Sequence, residues 1–390
     1  MNGYSRKQLA NKLGVSKREL WQYENGYVSP NLHTLNKMIK LFNVRGTYFY
    51  NEDFVSRYCD IHTIPMMNIA YRSDIINDFS KTQSETIHVK FLDSFLNYMM
   101  GYISVPSDRI IQLRDKCIEY LNETDDSREE QINYIARFAR SFLQLDKESN
   151  EAFLFLLEKS GVFIFEKAIG DRVDAYGLWT EDDRAYIVLG NLKRSSVRRN
   201  FNLAHELGHL LLHYKAEFPC LNKDEYREME REANLFASAF LLPEEAFLED
   251  MDSIMRKTVP DDYLELKKKW HVSLQVLGYR ARQMDLISAE EHRKFYAALH
   301  RRDYVKREPL DEVLPIRRPQ KLKSMFDFII KNNVFKLETM LDEVLHVDVK
   351  FLHRLTGVDL QFFESYWMGR KQTGNKHANV VQLHQRVNDI

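Results

Sequence analysis

The sequence predicts a multidomain protein, mainly α with a small α+β core. Three observations carry this reading. The chain has 390 residues, more than one folded unit usually holds. Apolar residues recur at helical spacing over most of its length. Only near residue 160 do short branched and aromatic runs bounded by glycine interrupt that pattern.

The helical elements begin at once. Ser5 can cap a helix starting at Arg6 that Gly14 ends, and Ser16 can cap a second that Gly26 ends. Leu9, Ala10, Leu13, Leu20 and Tyr23 supply their buried faces. A third helix follows Pro30 through Leu35, Met38, Ile39 and Phe42. These define a first module at 1–50, with only four residues ahead of its first helix. A helical connecting region at 51–145 follows, broken by the polar run Asn122 to Ser127. Val162-Phe163-Ile164-Phe165 and Tyr186-Ile187-Val188-Leu189 read as strands, and from Ser195 to about Leu242 come two longer helices closed by Pro243. These belong to a central domain at 146–290. A helical C-terminal domain at 291–390 would begin with a linker through Arg307-Glu308-Pro309 and Pro315 to Pro319. Its Phe326, Phe328, Ile329, Ile330, Leu337, Leu341, Leu345 and Phe351 are core candidates, and Arg317, Arg318, Lys321 and Lys323 read as solvated charge.

Composition narrows the functional classes. With 44% hydrophobic and 29% charged residues the chain is an ordinary globular one, not a disordered one. Net charge is −1, but residues 1–45 carry eight Lys/Arg against two acids, which points to an anionic partner for that module alone. Three scattered cysteines (Cys59, Cys117, Cys220) make no disulfide framework. With no signal-peptide layout and no apolar stretch of about 20 residues, the expected location is cytoplasmic, without membrane contact.

The chemistry concentrates in His205-Glu206-Leu207-Gly208-His209. Residues four apart share a helix face, so His205 and His209 can offer imidazoles to one metal ion. Catalytic zinc has three protein ligands and one water; Glu206 could take a proton from that water and return it to a leaving amine. The helix is apolar around much of its circumference, so its polar residues need buried partners. The plain alternative is a core helix whose histidines are satisfied by hydrogen bonds alone.

The second helix offers a third ligand. Its stripe is Tyr226, Met229, Ala233, Phe236, Ala237 and Phe240, and Glu230 falls on it while Glu228 and Glu232 are turned away. An acid on an apolar stripe is costly unless it meets a cation. Glu230 is therefore the expected third ligand, with Glu232 as the fallback. Asn234, one turn on, is positioned to hold a ligand histidine from behind. His213 is one turn past His209, too far round to join the same ion, and a supporting role suits it better. Cys220 reads as a small buried residue, the alternative being a ligand in the metal's open position. The ligand types admit manganese as well as zinc.

Phe201 to His213, Glu230-Arg231-Glu232-Ala233-Asn234-Leu235-Phe236-Ala237 and Leu241-Leu242-Pro243 resemble the signature of the ImmA/IrrE metallopeptidases. The resemblance covers about 150–290. It implies a gluzincin-like fold, with zinc on His205, His209 and Glu230 and with Glu206 as general base. It also implies a protein substrate, a helix-turn-helix repressor or antitoxin. The strand at 184–190 resembles an edge to which such a peptide adds, and Arg280 and Tyr279 are candidates for stabilising the oxyanion.

Gln8-Leu9-Ala10, Leu13-Gly14-Val15-Ser16 and Tyr23-Glu24-Asn25-Gly26 resemble the XRE/Cro helix-turn-helix class. That class has a full helix before the one starting at Ser5, so the first helix is truncated in this reading. Trp21 stands where a small residue is usual. Lys17, Arg18 and Gln22 are the candidates for contacting double-stranded DNA. The sequence thus points to a regulatory zinc endopeptidase with a DNA- or partner-binding module. The competing reading is a DNA-binding regulator whose peptidase-like domain only senses a metal or ligand.

Overall fold

The computed structural model describes residues 4–52, 79–106, 108–167, 175–190, 195–214, 216, 221–369 and 381–382. Cys59 and Cys220 lie outside them. Two compact units result, and their boundaries differ from the four segments expected. One unit takes in 1–66, 78–105 and 322–390; the other takes in 67–77 and 106–321. The connecting region is thus divided between them, and residues 291–321 belong with the central domain.

The discontinuous unit opens with α1 (Arg6–Leu13), α2 (Lys17–Glu24) and α3 (Leu32–Phe42). Ser5 closes a capping box with Gln8, and Gly14 ends α1 in the left-handed region at φ 73°. Ser16 accepts from the Glu19 backbone to cap α2. Ala10, Leu13, Leu20 and Met38 form a small core. The C-terminal stretch completes this unit: the Asp348 backbone N–H donates to the Asn43 carbonyl, and that of Arg45 to the His346 carbonyl. The Arg354 guanidinium donates to the Phe42 carbonyl at the end of α3. Helix α4 (Phe79–Met100) buries Leu92, Phe95, Leu96 and Met99 in this unit. From the C-terminal stretch Phe326, Ile329, Ile330, Leu337, Leu341, Leu345 and Phe351 are buried as well, and Phe328 half-buried.

The second unit is built on α5 (Asp108–Glu123), α6 (Arg128–Phe142), α7 (Phe153–Lys159) and strands β1 (Phe163–Lys167), β2 (Ala175–Trp179) and β3 (Ala185–Gly190). Helices α8 (Ser196–Leu212) and α9 (Lys223–Leu241) follow, then four more helices from Glu244 to Arg301. The sheet order is β1-β3-β2, β1 parallel and β2 antiparallel to β3. This corrects the expected edge: the strand at 185–190 lies in the middle. Its run Ala185 to Leu189 is buried on both faces, the pattern of a covered strand and not of a half-solvated edge. Among the described residues the edges are β1 and β2, and β2 went unread in the sequence because five residues with a central glycine give a weak strand signal.

Ser195 takes the cap position of α8, and its side chain makes no cap hydrogen bond. One further expectation changes. The stretch expected as a linker is fastened to this unit instead. Glu308 and Asp311 both accept from the fully buried Lys267 ammonium, at 2.6 and 2.7 Å. Arg317 pairs with Glu151, and Arg318 with Glu166 at 3.3 Å. Lys321 lies over the Phe163 ring. Arg317, Arg318 and Lys321 thus find partners within the unit while Arg317 and Arg318 stay exposed, and Lys323, in the other unit, lies over the Phe362 ring.

Candidate metal centre

Helix α8 runs through the core, with His205, Glu206, Leu207, Gly208 and His209 all buried. Helix α9 crosses it closely at Gly208, where an added Cβ would lie 3.0 Å from the Phe236 ring. Asn222 and Glu225 form a capping box that starts α9 and fixes its register. Glu230 thereby meets both histidines. His205 Nε2 lies 3.1 Å from His209 Nε2 and 3.4 Å from Glu230 Oε2, and His209 Nε2 lies 3.3 Å from Glu230 Oε1.

These separations suit a cation. A tetrahedral ion with bonds of about 2.0–2.1 Å needs donor atoms roughly 3.3 Å apart. His205 Nδ1 lies 3.1 Å from Asn234 Oδ1, an acceptor, so the ring carries its proton there and turns a lone pair toward the centre. Lone pairs and a carboxylate converging in a buried place are stable only around positive charge. Among the described residues, His205, His209 and Glu230 are the group of three whose donor atoms could hold a metal ion.

Glu206 lies against β2. A Cβ on Gly177 would stand 3.2 Å from Glu206 Oε2 and 3.3 Å from Glu206 Cβ. The strand passes so near that a side chain there would press on Glu206. Sequence reasoning missed Gly177; a lone glycine inside Ala-Tyr-Gly-Leu-Trp was the available signal for close backbone approach. Beside it Trp179 Nε1 donates to the Leu210 carbonyl at 2.9 Å, tying β2 to α8. A cleft of about 390 Å³ opens here, lined by Gly177, Trp179, Glu181, His209, His213 and Tyr214 among others.

Glu232 corrects the helix-face reading. It is not turned away but buried, and it belongs to a different set from the trio. The Arg128 guanidinium grips it through Nε and Nη2 at 2.7 and 2.6 Å, and His213 Nε2 lies 2.8 Å from its Oε2. Burial would raise this carboxyl; the bonds from Arg128 and His213 hold it at about 2. Burial pushes the His213 ring down to about 4, against the pull of Glu232. His213 Nδ1 lies 2.9 Å from His209 Nδ1. Arg280 is buried and donates to the Leu242 carbonyl, and Tyr279 is half-buried.

In the N-terminal module Lys17 and Arg18 are exposed at the start of α2 and Gln22 is half-buried. Trp21 is exposed and packs on Tyr27 at 5.2 Å between ring centres.

Comparison with known families agrees with both regions. The profile of the IrrE N-terminal-like domain matches residues 157–282, and that of the helix-turn-helix family matches 1–49. The chain carries an ImmA/IrrE-like peptidase domain behind an XRE-type helix-turn-helix. The ImmA/IrrE-like domain holds the trio, Glu206, Gly177 and Asn234; Arg128 precedes it. A curated relative, the HTH-type transcriptional regulator ImmR of Bacillus subtilis, is 38% identical over 55 residues, which span 14% of this chain and 43% of that protein. The chain thus matches less than half the length of that relative. A solved Mycobacterium tuberculosis transcriptional regulator is 16% identical at a TM-score of 0.28, over 44% of this chain and 51% of its own. Among the described residues no helix is long and apolar enough to cross a membrane.

Proposed function

We propose that this protein is a metal-dependent endopeptidase directed by its helix-turn-helix module, with zinc the foremost candidate ion and manganese the alternative. The observation that supports it is the convergence of His205, His209 and Glu230, with Glu206 next to His205 on the same helix and packed against Gly177 of the cleft wall. His205, His209 and Glu230 hold the ion in this reading, which when bound supplies Lewis acidity toward a water and a peptide carbonyl. Glu206 takes the proton from that water and delivers it to the leaving amine. Asn234 keeps the His205 ring turned inward. A peptide laid along the outer edge of β2 runs past Glu206 and presents an extended backbone to it.

The substrate in this reading is a helix-turn-helix repressor or antitoxin, cleaved to relieve repression. Lys17, Arg18 and Gln22 contact double-stranded DNA or a partner protein. A second reading, a DNA-binding regulator whose peptidase-like domain serves only as a sensor, draws support from the relative named as a transcriptional regulator. Metal content of the wild type and Glu206→Gln, with cleavage of a genomically adjacent repressor on the same samples, separates the two. Stoichiometric metal in both with cleavage only by the wild type supports the peptidase; metal without Glu206-dependent cleavage supports the regulator.

A further inference from the structure

Arg128 stands at the first turn of α6, outside the segment that matches the peptidase family, yet it begins a line of hydrogen bonds that ends at a candidate metal ligand. The direction of every bond in that line follows from its first member. A guanidinium only donates, and here it donates to both oxygens of Glu232. The doubly gripped carboxylate then accepts from His213, so the His213 proton is on Nε2. Its Nδ1 is left as an acceptor, and the His209 nitrogen 2.9 Å away must be the donor. His209 therefore carries its proton on Nδ1, and Nε2 presents a lone pair beside His205 Nε2 and Glu230. No change of protonation state enters this deduction.

We propose that Arg128, Glu232 and His213 are positioning residues which fix the tautomer and ring orientation of His209 for the metal ion. This rests on the trio being a metal site. It makes α6 part of the metal centre, since loss of that helix's contact with Glu232 would free the His213 ring to reverse its bonds. His205 Nδ1 meets Asn234 on the neighbouring helix, whereas His209 Nδ1 meets a relay of His213 just past α8, Glu232 on α9 and Arg128 on α6.

The test is metal affinity, measured on the full chain by competition of zinc against a chromophoric chelator. Arg128→Met, Glu232→Gln and His213→Gln are expected to raise the zinc Kd about 10–100-fold. Arg128→Lys, which keeps the charge and loses the fork, falls between the wild type and Arg128→Met. Because the residues act in series, Arg128→Met combined with His213→Gln weakens binding by less than the product of the two single effects. Thermal melting in excess chelator identifies any variant that is merely misfolded. Should one fail to fold, the wild type still decides: ¹⁵N shifts of histidine-labelled protein give His213 protonated on Nε2 and His209 on Nδ1. Unchanged Kd in folded variants, multiplicative effects, or the opposite tautomers overturn the proposal. A wild type that binds no zinc overturns the metal-site reading itself.

Discussion

The two ends of this protein's chemistry differ in what it costs to place them. In the peptidase-like region the candidate residues are polar groups in the core: His205, Glu206 and His209 are almost completely buried. In the helix-turn-helix the candidates Lys17 and Arg18 are exposed, where charge costs nothing and serves solubility equally well. A buried polar group needs a partner to be stable, so its presence in an apolar helix already argues for a purpose. An exposed lysine carries no such argument. The buried residues thus give a chemical hypothesis in one region, and the exposed ones only a fold class in the other.

This contrast can be broken experimentally. The largest effect belongs to Glu206→Gln, which should lower cleavage about 10²–10⁴-fold while metal content stays at the wild-type level. A matching loss of metal would place Glu206 among the ligands instead. Gly177→Val comes next. Its side chain would press on Glu206, with a stability loss of about 1–3 kcal/mol, read from urea unfolding, and cleavage reduced beyond what the folded fraction explains. Full activity would mean that β2 yields and that the close approach is incidental.

Acid should weaken the metal-free protein in two steps. The His213 ring ordinarily titrates near 6.5 and is held at about 4 here, so the stability lent by its neutral form is complete above 6.5 and lost as pH falls to 4. Glu232 lends stability that is complete above about 4.5 and lost as pH falls to about 2. Unfolding midpoints measured in chelator should fall over the first range in the wild type and less in His213→Gln; equal slopes would remove His213 from the account. The smallest effect is at the surface. Lys17→Ala should reduce the salt dependence of DNA binding by about one unit of slope and leave metal binding untouched. A wild type without salt-dependent binding would assign the module to a protein partner.

Legibility followed the same division. The three N-terminal helices, the two long helices and the convergence of His205, His209 and Glu230 could be reasoned from spacing, because helical periodicity is a long-range signal and a four-residue repeat sets a face. Glu232 could not be placed from α9 alone: its partner Arg128 is 104 residues away, and a helical wheel is blind to a cation arriving from another helix. Strand β2 was missed, and with it the sheet order, since strand neighbours are set by tertiary pairing and not by local sequence. The supposed linker failed for a related reason, as its proline content signals an extended chain but not the Lys267 ammonium that holds it.

The discontinuous unit bears on how the chain is made. Phe42, Asn43, Arg45, Thr47 and Asn51 all hydrogen-bond to residues between His346 and Arg354. About 300 residues separate these partners, and at a synthesis rate of about 5–20 residues per second the first wait roughly 15–60 s for the second. The second unit, whose segments all lie between residues 67 and 321, can fold on the ribosome in that interval. The helix-turn-helix therefore leaves the ribosome before the second unit and reaches its finished packing after it, so a nascent chain can acquire its cleft before the helix-turn-helix module is complete.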